Sequence, residues 1–180
     1  GGPLRFVSLE GGVRTIGHRD PRAFAYDNEG PSHERVVEPF RICARLVTNG
    51  EMLEFIRDGG YQNPALWLSD GIAWVRREEV RGPLYWRFEG DAPAFEMTTH
   101  GLMPWDPEAP VCHVSAYEAA AFAEWAGARL PTEFEWEVAA ADSDPSRARW
   151  LEDGLEAGGS LHPGLGRAPS PSGEALDLFG

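Results

Sequence analysis

Three times along this chain a Ser or Thr is followed three residues later by Glu: Thr48/Glu51, Ser115/Glu118 and Thr132/Glu135. At that spacing each side chain takes up the other residue's backbone N–H, the reciprocal cap that opens a helix. After Thr48, Met52, Phe55 and Ile56 share a helical face and Gly59 offers a left-handed terminator, which predicts a helix over about 49–58. After Ser115, Ala119, Phe122, Ala123 and Ala126 recur at helical spacing, with Gly127 placed to end the run. After Thr132, Phe134, Val138 and Ala141 lie on one side, and Glu133, Glu135 and Glu137 put negative charge near the positive helix start. That helix spans about 133–141.

The rest of the chain is organised differently. Runs rich in Val, Ile and Phe at Arg5–Leu9, Val13–Gly17 and Arg35–Cys43, set off by Gly, Pro, Asp and Asn, read as small twisted strands. Between the first two helices lies Tyr61–Pro110, holding Trp67, Trp74, Tyr85, Trp86 and Trp105. A connection of about fifty residues is too long to be structureless, so it must contain short strands or helical turns packed through those rings. Beyond Asp142 the chain turns to Asp, Ser, Gly and Pro, a surface loop over about 142–175. No internal repeat is evident, which leaves a solenoid or propeller without support. The class is α+β, irregular short strands with about three helices.

Length and composition set the outer limits. A chain of 180 residues fits one domain and can bury roughly 70% of its unfolded surface. Seven Trp and nine Phe supply the core. Net charge is −13 and all 16 basic residues are Arg, so the basic field that holds phosphate backbones is missing and no nucleic-acid partner is expected. The acidic residues are spread along the chain, as on a solvated surface. Cys43 and Cys112 are far apart and outside any Cys-x-x-Cys pattern, which fits a reducing compartment. Without a leader pattern or a run of eighteen apolar residues, a cytoplasmic protein with no membrane contact is expected.

Certain stretches carry a family resemblance. Phe24-Ala-Tyr-Asp-Asn-Glu-Gly-Pro-Ser-His33, Val47-Thr-Asn-Gly-Glu-Met-Leu-Glu-Phe-Ile-Arg-Asp-Gly-Gly-Tyr61, Leu66-Trp-Leu-Ser-Asp-Gly71 and Pro83-Leu-Tyr-Trp86 resemble the hercynine oxygenases of ergothioneine biosynthesis. Pro110-Val-Cys-His-Val-Ser-Ala-Tyr-Glu-Ala120 and Trp125-Ala-Gly-Ala-Arg-Leu-Pro-Thr-Glu-Phe-Glu-Trp-Glu137 are similar to the wider family of formylglycine-generating enzymes and sulfatase-modifying factors. The resemblance covers about 5–180 and implies a C-type-lectin-like fold, present here as the N-terminal part of its domain. It also implies an N-terminal four-helix DinB-like bundle that would precede this sequence and hold a nonhaem Fe(II) on three histidines. After Leu176-Asp-Leu-Phe-Gly180 it implies a Trp-Glu-Trp segment and then the half of the domain that bears the catalytic and substrate-binding groups, with the catalytic tyrosine beyond Gly180. No catalytic residue and no metal ligand is therefore expected within the chain, and Fe(II) and dioxygen belong to the parent protein. The implied substrates are hercynine and a thiol donor, cysteine or γ-glutamylcysteine. A selenium donor, as in selenoneine synthesis, is a close alternative, and a noncatalytic lectin-like binding module is an alternative of another class.

The residues admit plainer readings beside these. His18, His33, His100, His113 and His162 are each at least thirteen residues from the next, so only a tertiary cluster could ligate a metal. Asp27, Asn28, Glu29 and His33 could orient a neighbouring domain or a substrate ammonium. The favoured reading is an Asx-type turn at Asp27 and Asn28, with Glu29 paired to an Arg. His113 is expected to bond backbone in the core, and both thiols to be small buried groups. The aromatic rings fit cation stacking and core anchoring equally. The remaining marker positions are read as structural: Thr48, Asn49, Glu51, Gly59, Gly60, Tyr61, Trp67, Tyr85, Trp86, Ser115, Glu118, Arg129, Pro131, Thr132, Glu133, Glu135, Trp136 and Glu137.

Overall fold

A computed structural model describes residues 4–20 and 22–141; the loop expected over about 142–175, with His162 and the closing Leu176–Gly180, lies outside them. The early runs form β1 (Phe6–Leu9), β2 (Gly12–Ile16), β3 (His33–Val37) and β4 (Phe40–Cys43). The stretch Arg35–Cys43, expected as one strand, is two, because Pro39 has no N–H for the ladder. β1 pairs antiparallel with β4 from Phe6↔Cys43 to Leu9↔Phe40, and β2 with β3 from Gly12↔Val37 to Ile16↔His33. One register runs through both pairs, so the four strands form a single long ribbon kinked at its middle. The two backbones pinch at the kink. A Cβ on Gly11 would lie 2.7 Å from both Pro39 Cδ and the Val37 carbonyl oxygen, so only glycine fits there.

Four helices follow where about three were expected: α1 (Asn49–Arg57), α2 (Ser69–Arg77), α3 (Ala116–Trp125) and α4 (Glu133–Ala141). Gly59 and Gly127 are left-handed, at φ 78° and 67°, just past α1 and α3. α2 is the addition, and it opens on Leu68 with no side-chain cap. Its Gly71 lets α3 come close, since a Cβ there would sit 2.9 Å from Tyr117 Cβ. The long aromatic segment also holds two short 3-10 turns, Gly60–Gln62 and Pro64–Leu66. It ends in an antiparallel sheet of β5 (Trp86–Glu89), β6 (Ala92–Thr98) and β7 (Gly101–Pro104), in that order.

One buried cluster joins these pieces: Met52, Leu53, Phe55, Tyr61, Trp67, Val75, Trp86, Ala121 and Phe122. Phe55, with no exposed surface, is its hub. Its ring centroid lies 5.6 Å from Tyr61, 5.9 Å from Phe122 and 5.8 Å from Trp125. Each large apolar side chain buried this way contributes about 1.5–3 kcal/mol. Trp67 satisfies its indole by donating to the Gly60 carbonyl at 2.8 Å. The marker residues Tyr61, Trp67 and Trp86 are thus core anchors.

Candidate functional site

The chain builds one local device twice. Arg45–Glu51 and Arg129–Glu135 both read Arg-Leu-x-Thr-x-x-Glu. In the first, Thr48 N–H donates to Glu51 Oε2 at 2.8 Å and Glu51 N–H to Thr48 Oγ1 at 3.3 Å. In the second, Thr132 N–H donates to Glu135 Oε2 at 2.8 Å and Glu135 N–H to Thr132 Oγ1 at 3.2 Å. The same carboxylates then take a bidentate guanidinium, Arg45 Nη1 and Nη2 at 2.9 and 2.7 Å and Arg129 Nη1 and Nη2 at 2.7 and 2.6 Å. Each Nη1 also donates to the carbonyl of the following leucine, Leu46 or Leu130. Arg45 went unnoticed in the sequence; its signal is the Arg-to-Glu spacing shared with Arg129.

These contacts set the protonation states. Arg129 and the Thr132 N–H hold the Glu135 carboxyl down at about 2, against burial, which pushes it up. Burial acts more strongly on Glu51, yet Arg45 and Thr48 together still leave its pKa below the ordinary carboxylate value. The third capping glutamate has a different partner. Glu118 caps Ser115 and, itself buried, accepts from the Tyr61 hydroxyl at 2.6 Å. Burial and that carboxylate push the phenol well above its usual range.

Asn49, fully buried at the start of α1, donates to the Asp106 carbonyl at 2.9 Å and to buried Glu96 at 3.4 Å. The backbone N–H groups of Asn49 and Gly50 donate to the Ala109 and Pro107 carbonyls, both at 2.8 Å, so loop 106–109 serves the helix start. Both thiols are free and half-buried rather than fully buried. Burial, with Glu96 nearby, pushes the Cys112 thiol up to about 11, the opposite of an activated nucleophile.

At the ribbon tip Asp27–Glu29 form one 3-10 turn. Glu29 takes up the Tyr26 N–H at 2.6 Å, where an arginine partner was expected. The carboxylate is spent locally because the turn brings it back over its own first N–H. His33 packs edge-on against Phe134 at 6.3 Å, and Arg35 lies over the same ring at 4.5 Å. Glu137 accepts the Gly17 N–H at 2.5 Å and ties α4 to the ribbon. In α4 the buried positions are Glu135, Ala139 and Ala140, while Phe134 and Val138 are half-buried and Ala141 is exposed. The Arg129 clamp draws Glu135 inward, which turns the helix from its expected face.

His113 also departs from expectation. It is exposed, and its ring meets Tyr85 edge-on at 4.9 Å. Both residues have left-handed backbones, φ 59° and 77°, a conformation that costs an aromatic side chain energy. His113 still serves backbone, since its carbonyl accepts the Leu84 N–H at 3.2 Å. His18 bonds the Asp20 carbonyl and His100 contacts Thr99. Among the described residues no three His, Cys, Asp or Glu side chains are grouped to hold a metal ion. Among the described residues the donor set does not fit an Fe(II) centre.

A groove of about 900 Å³ is walled by β1 and β4, α3, the 127–131 segment and the start of α4. Its apolar lining includes Phe6, Ile42, Met52, Phe122, Leu130 and Trp136; its ionisable lining is Glu10, Arg41, Cys43, Arg45, Arg129 and Glu135. That volume suits an organic group with a few polar contacts. Pro131 and Trp136 face this groove, whereas Glu133 and Asp27 are exposed surface.

Residues 4–171 match the family described as the sulfatase-modifying factor enzyme 1-like domain. A hercynine oxygenase of Mycolicibacterium thermoresistibile is 43% identical over 126 residues, 70% of this chain and 27% of that protein. A hercynine oxygenase of Mycobacterium tuberculosis is 46% identical over 116 residues, 64% of this chain and 26% of its own length. A formylglycine-generating enzyme of Thermomonospora curvata is 33% identical over 166 residues, covering 80% of the chain and 51% of the enzyme. The chain thus spans about a quarter of the hercynine oxygenases it matches. With this match over nearly the whole chain and the α+β architecture of a C-type-lectin-like fold, the chain belongs to the sulfatase-modifying factor enzyme 1-like domain family.

Proposed function

We propose that the chain is part of a nonhaem Fe(II)-dependent oxygenase that joins a thiol to the imidazole ring of hercynine. The observation that carries this is the gap in similarity within one family: 43–46% identity to proteins named hercynine oxygenase against 33% to a formylglycine-generating enzyme. In the proposed reaction the imidazole gives up a C–H and cysteine or γ-glutamylcysteine an S–H. One oxygen of O₂ then ends on sulfur as a sulfoxide and the other as water, with no further reductant.

The part played by these residues is that of a scaffold. Their capped helices, buried aromatic hub and arginine clamps fix a rigid wall, while the iron ligands and the reacting groups lie on other sequence of the parent protein, including a DinB-like bundle. No helix among the described residues is long and apolar enough to cross a membrane, and we place the parent protein in the cytoplasm. The test is aerobic turnover of hercynine by the full-length, Fe(II)-loaded protein with cysteine, γ-glutamylcysteine or a selenosugar, followed by mass spectrometry. A sulfoxide with either thiol is expected. A selenoether alone would move the assignment to selenoneine synthesis, and no product of either kind would leave a binding module. The 180-residue chain by itself is expected not to bind Fe(II) at 1:1 stoichiometry, and tight binding would place ligands within it.

A further inference from the structure

Asn49–Gly50 is the one Asn-Gly pair of the chain; Asn28 precedes Glu29 and Asn63 precedes Pro64. An asparagine before glycine is the pairing most open to attack on its own side chain, because glycine has no Cβ to hinder the approach and turns freely. In that reaction the Gly50 nitrogen bonds to Asn49 Cγ, the Cγ–Nδ2 bond breaks, and the Gly50 amide proton leaves with Nδ2 as ammonia. Water then opens the five-membered imide at either carbonyl, which gives aspartate or isoaspartate at position 49. No oxidant or reductant enters.

The folded chain closes each step of this route. Asn49 has no exposed surface, so water is kept from it. Ring closure needs the Gly50 nitrogen to eclipse Asn49 Cβ, far from the helical ψ of about −42°, and Asn49 is the first residue of α1. The attacking nitrogen is held, since Gly50 N–H donates to the Pro107 carbonyl at 2.8 Å. The leaving nitrogen is held too, with Nδ2 donating to the Asp106 carbonyl at 2.9 Å and to Glu96 at 3.4 Å. Asn49 Oδ1 meets no donor among the described residues, so an oxyanion building there has nothing to stabilise it. Either product would then put an acceptor-only carboxylate where Nδ2 now donates, facing the Asp106 carbonyl and buried Glu96. Isoaspartate would also lengthen the backbone at the start of α1. From this arrangement we infer that Asn49–Gly50 is a site of spontaneous deamidation, shut in the folded chain and opened only by unfolding, whose products cannot regain the native fold. One unfolding event of sufficient duration thus becomes permanent. None of this rests on the oxygenase reading.

The test incubates the full-length protein at mildly alkaline pH, natively and in guanidinium chloride above its unfolding midpoint, beside the free peptide acetyl-Val-Thr-Asn-Gly-Glu-Met-amide. Peptide mapping by mass spectrometry reads deamidation at position 49. In denaturant the rate should equal that of the free peptide, and natively it should be at least about a hundredfold slower, since reaction waits on the rare open state. A native rate within a hundredfold of the peptide's would overturn the protection. For the second half, partly deamidated chains are returned to native buffer and refolded monomer is separated from unfolded material by size exclusion. Aspartate and isoaspartate at position 49 should be at least about tenfold depleted in the refolded monomer. Equal content in both fractions would show that the products do fold and would end the proposal. Gly50→Ala, read in denaturant where native packing plays no part, should slow the loss at least fivefold; an unchanged rate would mean that attack by the Gly50 nitrogen is not the route.

Discussion

Glu135 is the residue on which a helix start and an ion pair both depend, and its titration should be visible in stability. Its folded pKa is depressed to about 2, so the stabilisation is complete above the unfolded carboxyl value of about 4.3 and is lost as pH falls from there towards 2. The contribution is on the order of 1–2 kcal/mol once the exposure of Arg129 is discounted. Urea unfolding at steps from pH 5 to pH 2 should show Glu135→Gln flattening the acid slope; an unchanged slope would mean the clamp stores no such energy. The Thr132/Glu135 cap is legible in sequence because its spacing is local. Arg45 and the inward turn of Glu135 are not, since an arginine six residues before a glutamate meets it only after the cap has formed.

At the scale of elements, helices that open on a side-chain cap were readable and the one that does not was missed. α2 starts on Leu68 and carries Gly71 where α3 presses closest, and both features lower a local helix signal. α3 is the opposite case, with its cap and its tertiary anchor sharing Glu118. Ser115→Ala removes one capping bond and should cost about 1 kcal/mol. Glu118→Ala removes the reciprocal cap and also strands the Tyr61 hydroxyl, which is 3% exposed with its residue, so about 2–4 kcal/mol is expected. Denaturant midpoints for the two variants decide this. Equal losses would show that the Tyr61 bond adds nothing to the cap.

Across the whole molecule, burial is unevenly shared. The buried cluster draws on α1, α2, α3, β5 and the turns between them, with Phe55 in contact with four other rings. The long ribbon of β1–β4 contributes to none of it; its buried residues Ile16, Val37 and Ile42 lie outside that cluster. A two-stranded ribbon is marginal without cover, and much of this one's support comes through α4, by the Glu137 bond to Gly17 and the Arg35–Phe134–His33 stack. Native-state hydrogen exchange should therefore find the amides of α1 and α3 opening only with global unfolding, while those of β2 and β3 open at lower free energy. Glu137→Ala should widen that gap by speeding exchange in β2 and β3 alone. Uniform protection across ribbon and helices would instead mean that the contacts between them are strong enough to make the two halves one cooperative unit.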